Sequence, residues 1–248
     1  MNNAIHNKDY YLRASDFDTF RNLQPAAVLD LFQDAAGEHA QKLKVDYDQM
    51  ILRNMMWVIV RVKYRILQKV KMYQRVNVVT WPHPNRRLDF QRDYLIRDEN
   101  GSPVVKGTSQ WALMDSRTRK LVLARDIYGE IDSFCEENTF AEKFLKVPDF
   151  EEADPGYPVM SGYTDLDING HVNNIKYANY ALNAVNLAPD QEIEEFQIDY
   201  HKEVLNHTAL DVFIQQGEKQ ILVKGKNSAG DSMFSCRIEL KNVERQKI

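Results

Sequence analysis

Two stretches of the chain space their apolar side chains three and four residues apart. The first runs through Val28, Phe32, Ala35, Ala36 and Leu43 with His39 on the same stripe, one face of an amphipathic helix, and Pro25 suits its first turn. The second, over 174–185, lines one face with Ile175, Ala178, Leu182 and Val185 and widens it with Tyr177, Tyr180, Ala181 and Ala184. After each helix the pattern changes to the alternation and β-branched runs of strands. The first set covers 57–65, 76–81, 90–97 and 104–114, with Asp98-Glu99-Asn100-Gly101 as a hairpin turn before the last strand. The second covers 196–203, 209–215, 220–226 and 233–240, with Asn227-Ser228-Ala229-Gly230 in the same place.

The two sets share an order, and each helix is preceded by Asp-apolar-Asp: Asp16-Phe17-Asp18 and Asp165-Leu166-Asp167. In the strands, Val62-Lys63-Tyr64 falls on Ile198-Asp199-Tyr200, which sets Leu67 opposite Glu203. Chance likeness of two helix-then-sheet patterns is the alternative to a repeat. The repeat predicts an α+β protein of two tandem units, each a long helix packed on an antiparallel sheet. Pro148, Pro155, Pro158, Gly156 and the acidic Glu151, Glu152 and Asp154 mark a linker between them. The expected division is 1–135, a linker over 136–155, and 156–248.

The length of 248 residues suits one large domain or two small ones, and 44% hydrophobic residues exclude a disordered chain. Thirty-two Lys plus Arg against 36 Asp plus Glu give a net charge of -4, which lacks the basic footprint of a nucleic-acid binder. Cys135 and Cys236 form no metal-binding or disulfide spacing, so a reducing cytoplasm is the expected location. No signal-like or membrane-spanning apolar run is seen, and no membrane partner is expected.

The densest polar cluster is Asp165, Asp167, Asn169, His171, Asn173 and Asn174, at the entry to the second helix. Capping of a first helical turn accounts for one or two such residues, and a solvated loop is the plain alternative. A helix N-terminus also stabilises nearby negative charge. With a carboxylate to activate water and a histidine beside it, such a site has the parts for acyl hydrolysis. The first repeat keeps Asp16 and Asp18 but has Phe20 in place of Asn169 and Asn22 in place of His171. Glu203, at the end of a strand, is the other candidate, against the ordinary reading of an exposed strand-end charge. No glycine-rich phosphate loop, nucleophile elbow or metal-ligand spacing is present, so no metal or cofactor is expected.

Asp165-Leu166-Asp167-Ile168-Asn169-Gly170-His171-Val172-Asn173-Asn174-Ile175-Lys176-Tyr177 resembles the Asp-x-Asn-x-His-Val-Asn-Asn-x-x-Tyr signature of the acyl-acyl carrier protein thioesterases, the double hot dog hydrolases of plants and bacteria. Met56-Trp57-Val58-Ile59-Val60-Arg61, the segment from Arg86 to Asp98, and Ser109-Gln110-Trp111-Ala112-Leu113-Met114-Asp115 with Thr118-Arg119-Lys120-Leu121 are similar to further family segments. The resemblance implies two hot dog domains, the second catalytic, with Asp167, Asn169, His171 and Glu203 as catalytic residues. It also implies a fatty acyl substrate on acyl carrier protein and hydrolysis without a cofactor. Val204 replaces the family's cysteine after the catalytic Glu, which sets a thiol mechanism aside. Two routes remain: water activated by Glu203, with Asp167 and His171 orienting it, or direct attack by Asp167.

Asn173 and Asn174 are candidate substrate contacts. Met50, Met55 and Met56 are candidates to line an acyl pocket in the first unit, or else ordinary core. Arg86, Arg87, Arg92, Arg117, Arg119 and Lys120 are candidate docking cations for the acidic carrier protein, or else solvated surface. An acyl-CoA thioesterase and a non-catalytic acyl-thioester binder are the rival classes. A monomer and a homodimer are both compatible with the sequence.

Overall fold

The computed structural model describes residues 3–84, 88–123, 127–152 and 156–243. The chain divides into two compact units, one of Met1–Phe17 with Ala27–Lys143 and one of Asp18–Ala26 with Phe144–Ile248. The first contains β1 (His6–Tyr11), α1 (Pro25–Lys42, from Ala27 on), α2 (Tyr47–Leu52), β2 (Met55–Ile66), β3 (Arg75–Pro82), β4 (Phe90–Arg97) and β5 (Pro103–Asp115). Its antiparallel strands lie in the order β1-β3-β4-β5-β2.

The second unit contains β6 (Tyr157–Met160), α3 (Asn174–Asn183), β7 (Gln191–Tyr200), β8 (Ala209–Gln216), β9 (Gln220–Asn227) and β10 (Ser232–Asn242). Its order, β6-β8-β9-β10-β7, is the same topology. The repeat is therefore real in three dimensions, with one addition: a strand precedes each helix and closes the sheet edge. His6–Tyr11 reads His-Asn-Lys-Asp-Tyr-Tyr, too polar to announce a strand.

All six residues of the first stripe are buried, Val28, Phe32, Ala35, Ala36 and His39 in α1 and Leu43 just after it. Phe32 stacks on Tyr94 at 4.2 Å between ring centroids and meets Tyr64 edge-on at 6.5 Å. The second helix differs from expectation. It has ten residues rather than a long span, and it buries Tyr177, Ala178, Tyr180 and Ala181, while Ile175, Leu182 and Val185 are only half-buried. The large tyrosine rings, not the aliphatic seam, fill the space over β10 and β7, where Tyr177 meets Phe234 and Tyr200 edge-on.

The strand-to-strand register also shifts the repeat alignment. Leu67 and Gln68 N–H groups donate to Val104 O, and His201 and Lys202 N–H groups donate to Met233 O in the same way. Leu67 thus matches His201, and the counterpart of Glu203 is Lys69 rather than Leu67.

The segment read as a linker is laid along the sheets, on the faces turned away from the helices. In the first unit Thr139 donates its N–H to Asp93 Oδ2 and its hydroxyl to Gly107 O, and Phe140 packs under Lys63 and Lys106. In the second, Val147 N–H donates to Asp199 Oδ2, Gln197 donates to Leu145 O, and Lys224 reaches Asp149 and Phe150 O. Each polar group so covered has a partner, as burial requires.

His39, on the buried face of α1, illustrates how a polar core group is held. Its Nε2 lies 2.8 Å from Asn3 O and its Nδ1 3.0 Å from an Arg92 Nη. The ring is therefore neutral, donating through Nε2 and accepting through Nδ1. Burial and then the Arg92 charge lower its pKa from 6.5 to about 3. The unfolded chain takes up this proton more readily, so the stabilisation is full above pH 6.5 and is lost as pH falls toward 3. The loss is up to about 1.4 kcal/mol per pH unit from this group. Urea unfolding of the wild type should weaken between pH 7 and 4 more steeply than that of His39→Gln, and equal slopes would contradict the assignment.

Candidate active site

The candidate site belongs to the second unit. After β6, the buried Ser161 hydroxyl donates to Leu205 O at 2.6 Å and accepts from Thr208 N–H at 2.9 Å. It ties the start of the site to the loop that follows β7. A single 3-10 turn, Tyr163–Asp165, leads on. Burial alone would push the Asp165 carboxyl up, but the Gly162 N–H, the Tyr180 hydroxyl and Lys176 outweigh it and hold it below the usual carboxylate range.

Asp167 opens a five-residue loop. Its N–H donates to His171 O, and its Oδ1 accepts the N–H groups of Asn169 (2.8 Å) and His171 (3.3 Å). Gly170 completes the turn with φ +77°, which a glycine adopts without steric cost. Asn169 extends over the surface and its amide donates to Asp167 Oδ2 at 3.4 Å. Asp18 builds the same loop in the first repeat, accepting from Phe20 and Asn22 N–H groups at 2.8 Å each, with Arg21 at φ 61°. So do the hairpin tips, where Asp98 accepts from Asn100 and Ser102 and Asn227 from Ala229 and Asp231. One carboxylate oxygen of Asp167 is thus accounted for by loop formation, and an amide oxygen does that work equally well at Asn227.

The loop delivers His171 three residues before α3. Asn173 caps the helix, accepting Ile175 N–H at 3.0 Å, and Asn174 is its first residue, with its carbonyl taken by the Tyr200 hydroxyl. Glu203 stands beyond the end of β7, in a loop rather than in the strand the sequence suggests. Val172 N–H donates to Val204 O at 2.8 Å and brings the loop beside the helix entry. His171 Nε2 then lies 3.4 Å from Glu203 Oε2, with side-chain exposures of 24% and 38%, so both are open to water and substrate.

Of the four residues read as catalytic, His171 and Glu203 touch side chain to side chain; Asp167 and Asn169 share their loop. Sequence reading placed Tyr177 only on a helix face and did not single out Ser161. The hydroxyls of both bind the Glu203 loop, and the place of Tyr177 inside the signature was the available signal.

The other candidates lie in the first unit. Met50 is fully buried among Leu43, Val45, Phe90 and Leu113, a core position and not a free lining. Met55 is half-buried against the same cluster, and Met56 Sδ accepts from Arg119 at 3.2 Å. Arg92 is not a docking cation: it is buried and bonded to His39 and Thr80. Arg86 and Arg87 lie outside the described residues. Arg117, Arg119 and Lys120 are exposed on the turn after β5, and Ser116 N–H donates to Asn54 O, which sets exposed Arg53 beside them. Among the described residues no group of three or more His, Cys, Asp or Glu is arranged to hold a metal ion.

Two family models match this chain, that of the acyl-ACP thioesterase N-terminal domain over residues 3–131 and that of the C-terminal domain over 151–246. The chloroplastic palmitoyl-acyl carrier protein thioesterase of Arabidopsis thaliana is 26% identical over 215 residues, 80% of this chain and 52% of that protein. The chloroplastic dodecanoyl-acyl-carrier-protein hydrolase of Cinnamomum camphora is 27% identical over 214 residues, 80% of this chain and 56% of its own length. The chain spans little more than half the length of these curated relatives. A solved acyl-ACP thioesterase from Bacteroides thetaiotaomicron has the same fold, with TM-score 0.89 over 96% of this chain and 98% of that one at 23% identity.

Proposed function

The chain belongs to the acyl-ACP thioesterase family, and from that premise we propose that it hydrolyses fatty acyl-acyl carrier protein thioesters, releasing free fatty acid and ending chain elongation. The observation that carries the chemistry is the His171–Glu203 contact of 3.4 Å beside the N-terminus of α3. The Glu203 carboxylate takes a proton from water as the oxygen adds to the thioester carbonyl. The helix terminus stabilises the oxyanion, and collapse breaks the C–S bond, the proton passing from Glu203 to the departing thiolate. His171 orients Glu203 and the water.

Water is the route that the exposed His171–Glu203 contact supports; in Asp167, Oδ1 is held by two backbone N–H groups, and Oδ2, 3.4 Å from the Asn169 amide, is the oxygen that a direct attack would use. Val204 follows Glu203 where the thiol would stand, and Cys236 is buried, its thiol pushed up by burial. The unpaired Cys135 and Cys236 fit a reducing cytoplasm.

Arg53, Arg117, Arg119 and Lys120 form an exposed basic corner suited to the acidic carrier protein. The test is thiol release from matched acyl chains on acyl carrier protein and on coenzyme A. Faster release from the carrier protein is expected, with the gap closing as salt screens the docking charges. Equal rates at every salt concentration would transfer the assignment to acyl-CoA, and no release from either would overturn hydrolysis.

A further inference from the structure

Tyr177 is a buried hydroxyl on α3 that the hydrolytic scheme leaves unused. Its oxygen accepts the Val204 N–H at 3.0 Å and donates to the Lys202 carbonyl at 3.4 Å. These are the two peptide groups on either side of Glu203. A single side chain therefore bridges the backbone before and after the candidate base, in a loop that has left the β7 ladder.

The ring is itself fixed. Tyr177 is 2% exposed and meets Tyr200 at 5.5 Å and Phe234 at 5.6 Å, both edge-on, which confines its rotamer. Burial pushes its pKa up to about 12, so the group stays a neutral hydroxyl that donates and accepts at once. The Val172–Val204 bond adds a third tie to the same loop, from the residue after His171. In the first repeat the constant spacing between Asp18 and Asp167 puts Val28 where Tyr177 stands, and Lys69 is the counterpart of Glu203: the hydroxyl occurs where the carboxylate does.

We propose that Tyr177 is a positioning residue, whose bridge across Glu203 sets the reach of that carboxylate toward His171 and the attacking water. This rests on the hydrolytic reading given above. A base displaced by about 1 Å loses on the order of 100-fold in rate while ground-state binding is kept. Phe fits the aromatic box and removes only the hydroxyl.

The experiment compares wild type, Tyr177→Phe, Glu203→Gln and the double variant in single-turnover hydrolysis of an acyl-acyl carrier protein thioester. Tyr177→Phe should lower kcat about 10- to 100-fold with KM within about twofold, and should cost nothing further in Glu203→Gln, since groups acting as a unit are not additive. Loss of the same factor in both backgrounds, or full activity in Tyr177→Phe, would overturn the proposal. Amide exchange at Val204 is read alongside, independent of turnover. It should quicken at least about tenfold in Tyr177→Phe with β10 amides unchanged, because the N–H loses its acceptor. If the wild type releases no thiol, the hydrolytic reading falls by itself; unchanged exchange at Val204 would remove the bridge.

Discussion

Replacing Glu203 by Gln lowers kcat about 10²- to 10⁴-fold, the range removed with a general base, and leaves KM and thermal unfolding close to wild type. Gln keeps the size and one carbonyl oxygen but takes no proton from water at neutral pH. The fold does not depend on the carboxylate, because the loop is held through its backbone: His201 and Lys202 N–H groups to Met233 O, Val172 N–H to Val204 O, and Val204 N–H to the Tyr177 hydroxyl. The side chain is 38% exposed, so its loss leaves no cavity. The measurement is kcat and KM for thiol release together with a melting curve. A kcat within threefold of wild type would remove Glu203 as the base and return attention to Asp167. Single turnovers in oxygen-18 water bear on the two routes: water attack labels the first fatty acid released, whereas an anhydride on Asp167 that water opens at the Asp167 carbonyl releases it unlabelled and leaves the label on Asp167.

Phe32→Ala should destabilise the protein by about 3 to 5 kcal/mol, the cost of removing a fully packed ring from a core. The ring is 2% exposed, stacks on Tyr94 and caps Gly107 of β5 so closely that a Cβ there would collide with its Cε2. Glycine at 107 is thus required by the close approach of the helix. Gly107→Ala should itself be destabilising by about 1 to 3 kcal/mol, as overpacking is. In Phe32→Ala the added methyl has space, so the pair should cost less than the sum of the two, the mark of direct contact. Urea midpoints of the four proteins decide it, and strict additivity would deny the contact. The second unit solves the same problem differently: Gly225 of β9 is covered by Phe234 from the neighbouring strand, and α3 then lays Tyr177 edge-on against that ring.

The helix stripe of α1, the four strands after each helix and both hairpin tips were legible in the sequence because each rests on neighbours in the chain. Periodicity assigns an inward face, and Asp98 or Asn227 with a glycine three residues on builds a turn from its own backbone. The catalytic candidates Asp167, Asn169 and His171 were legible for the same reason, lying in one short segment.

What lay beyond the sequence were contacts made at long range. β1 is polar and β6 is four residues long with a proline in it, and both are strands because β3 and β8 offer them an edge. Arg92 reads as a surface cation until His39 and Thr80 are seen around it, and the buried charges of Asp93, Asp199 and Lys224 are explained by the 136–152 segment that covers them. The Glu203 match moved by two residues because ladder hydrogen bonds, not side-chain likeness, fix where a strand is left. The sequence determined which residues are the candidates for the site, since local spacing encodes local structure. Only the tertiary structure decided that Glu203 meets His171 and that Tyr177 holds it there, because those distances are set by the packing of α3 on its sheet.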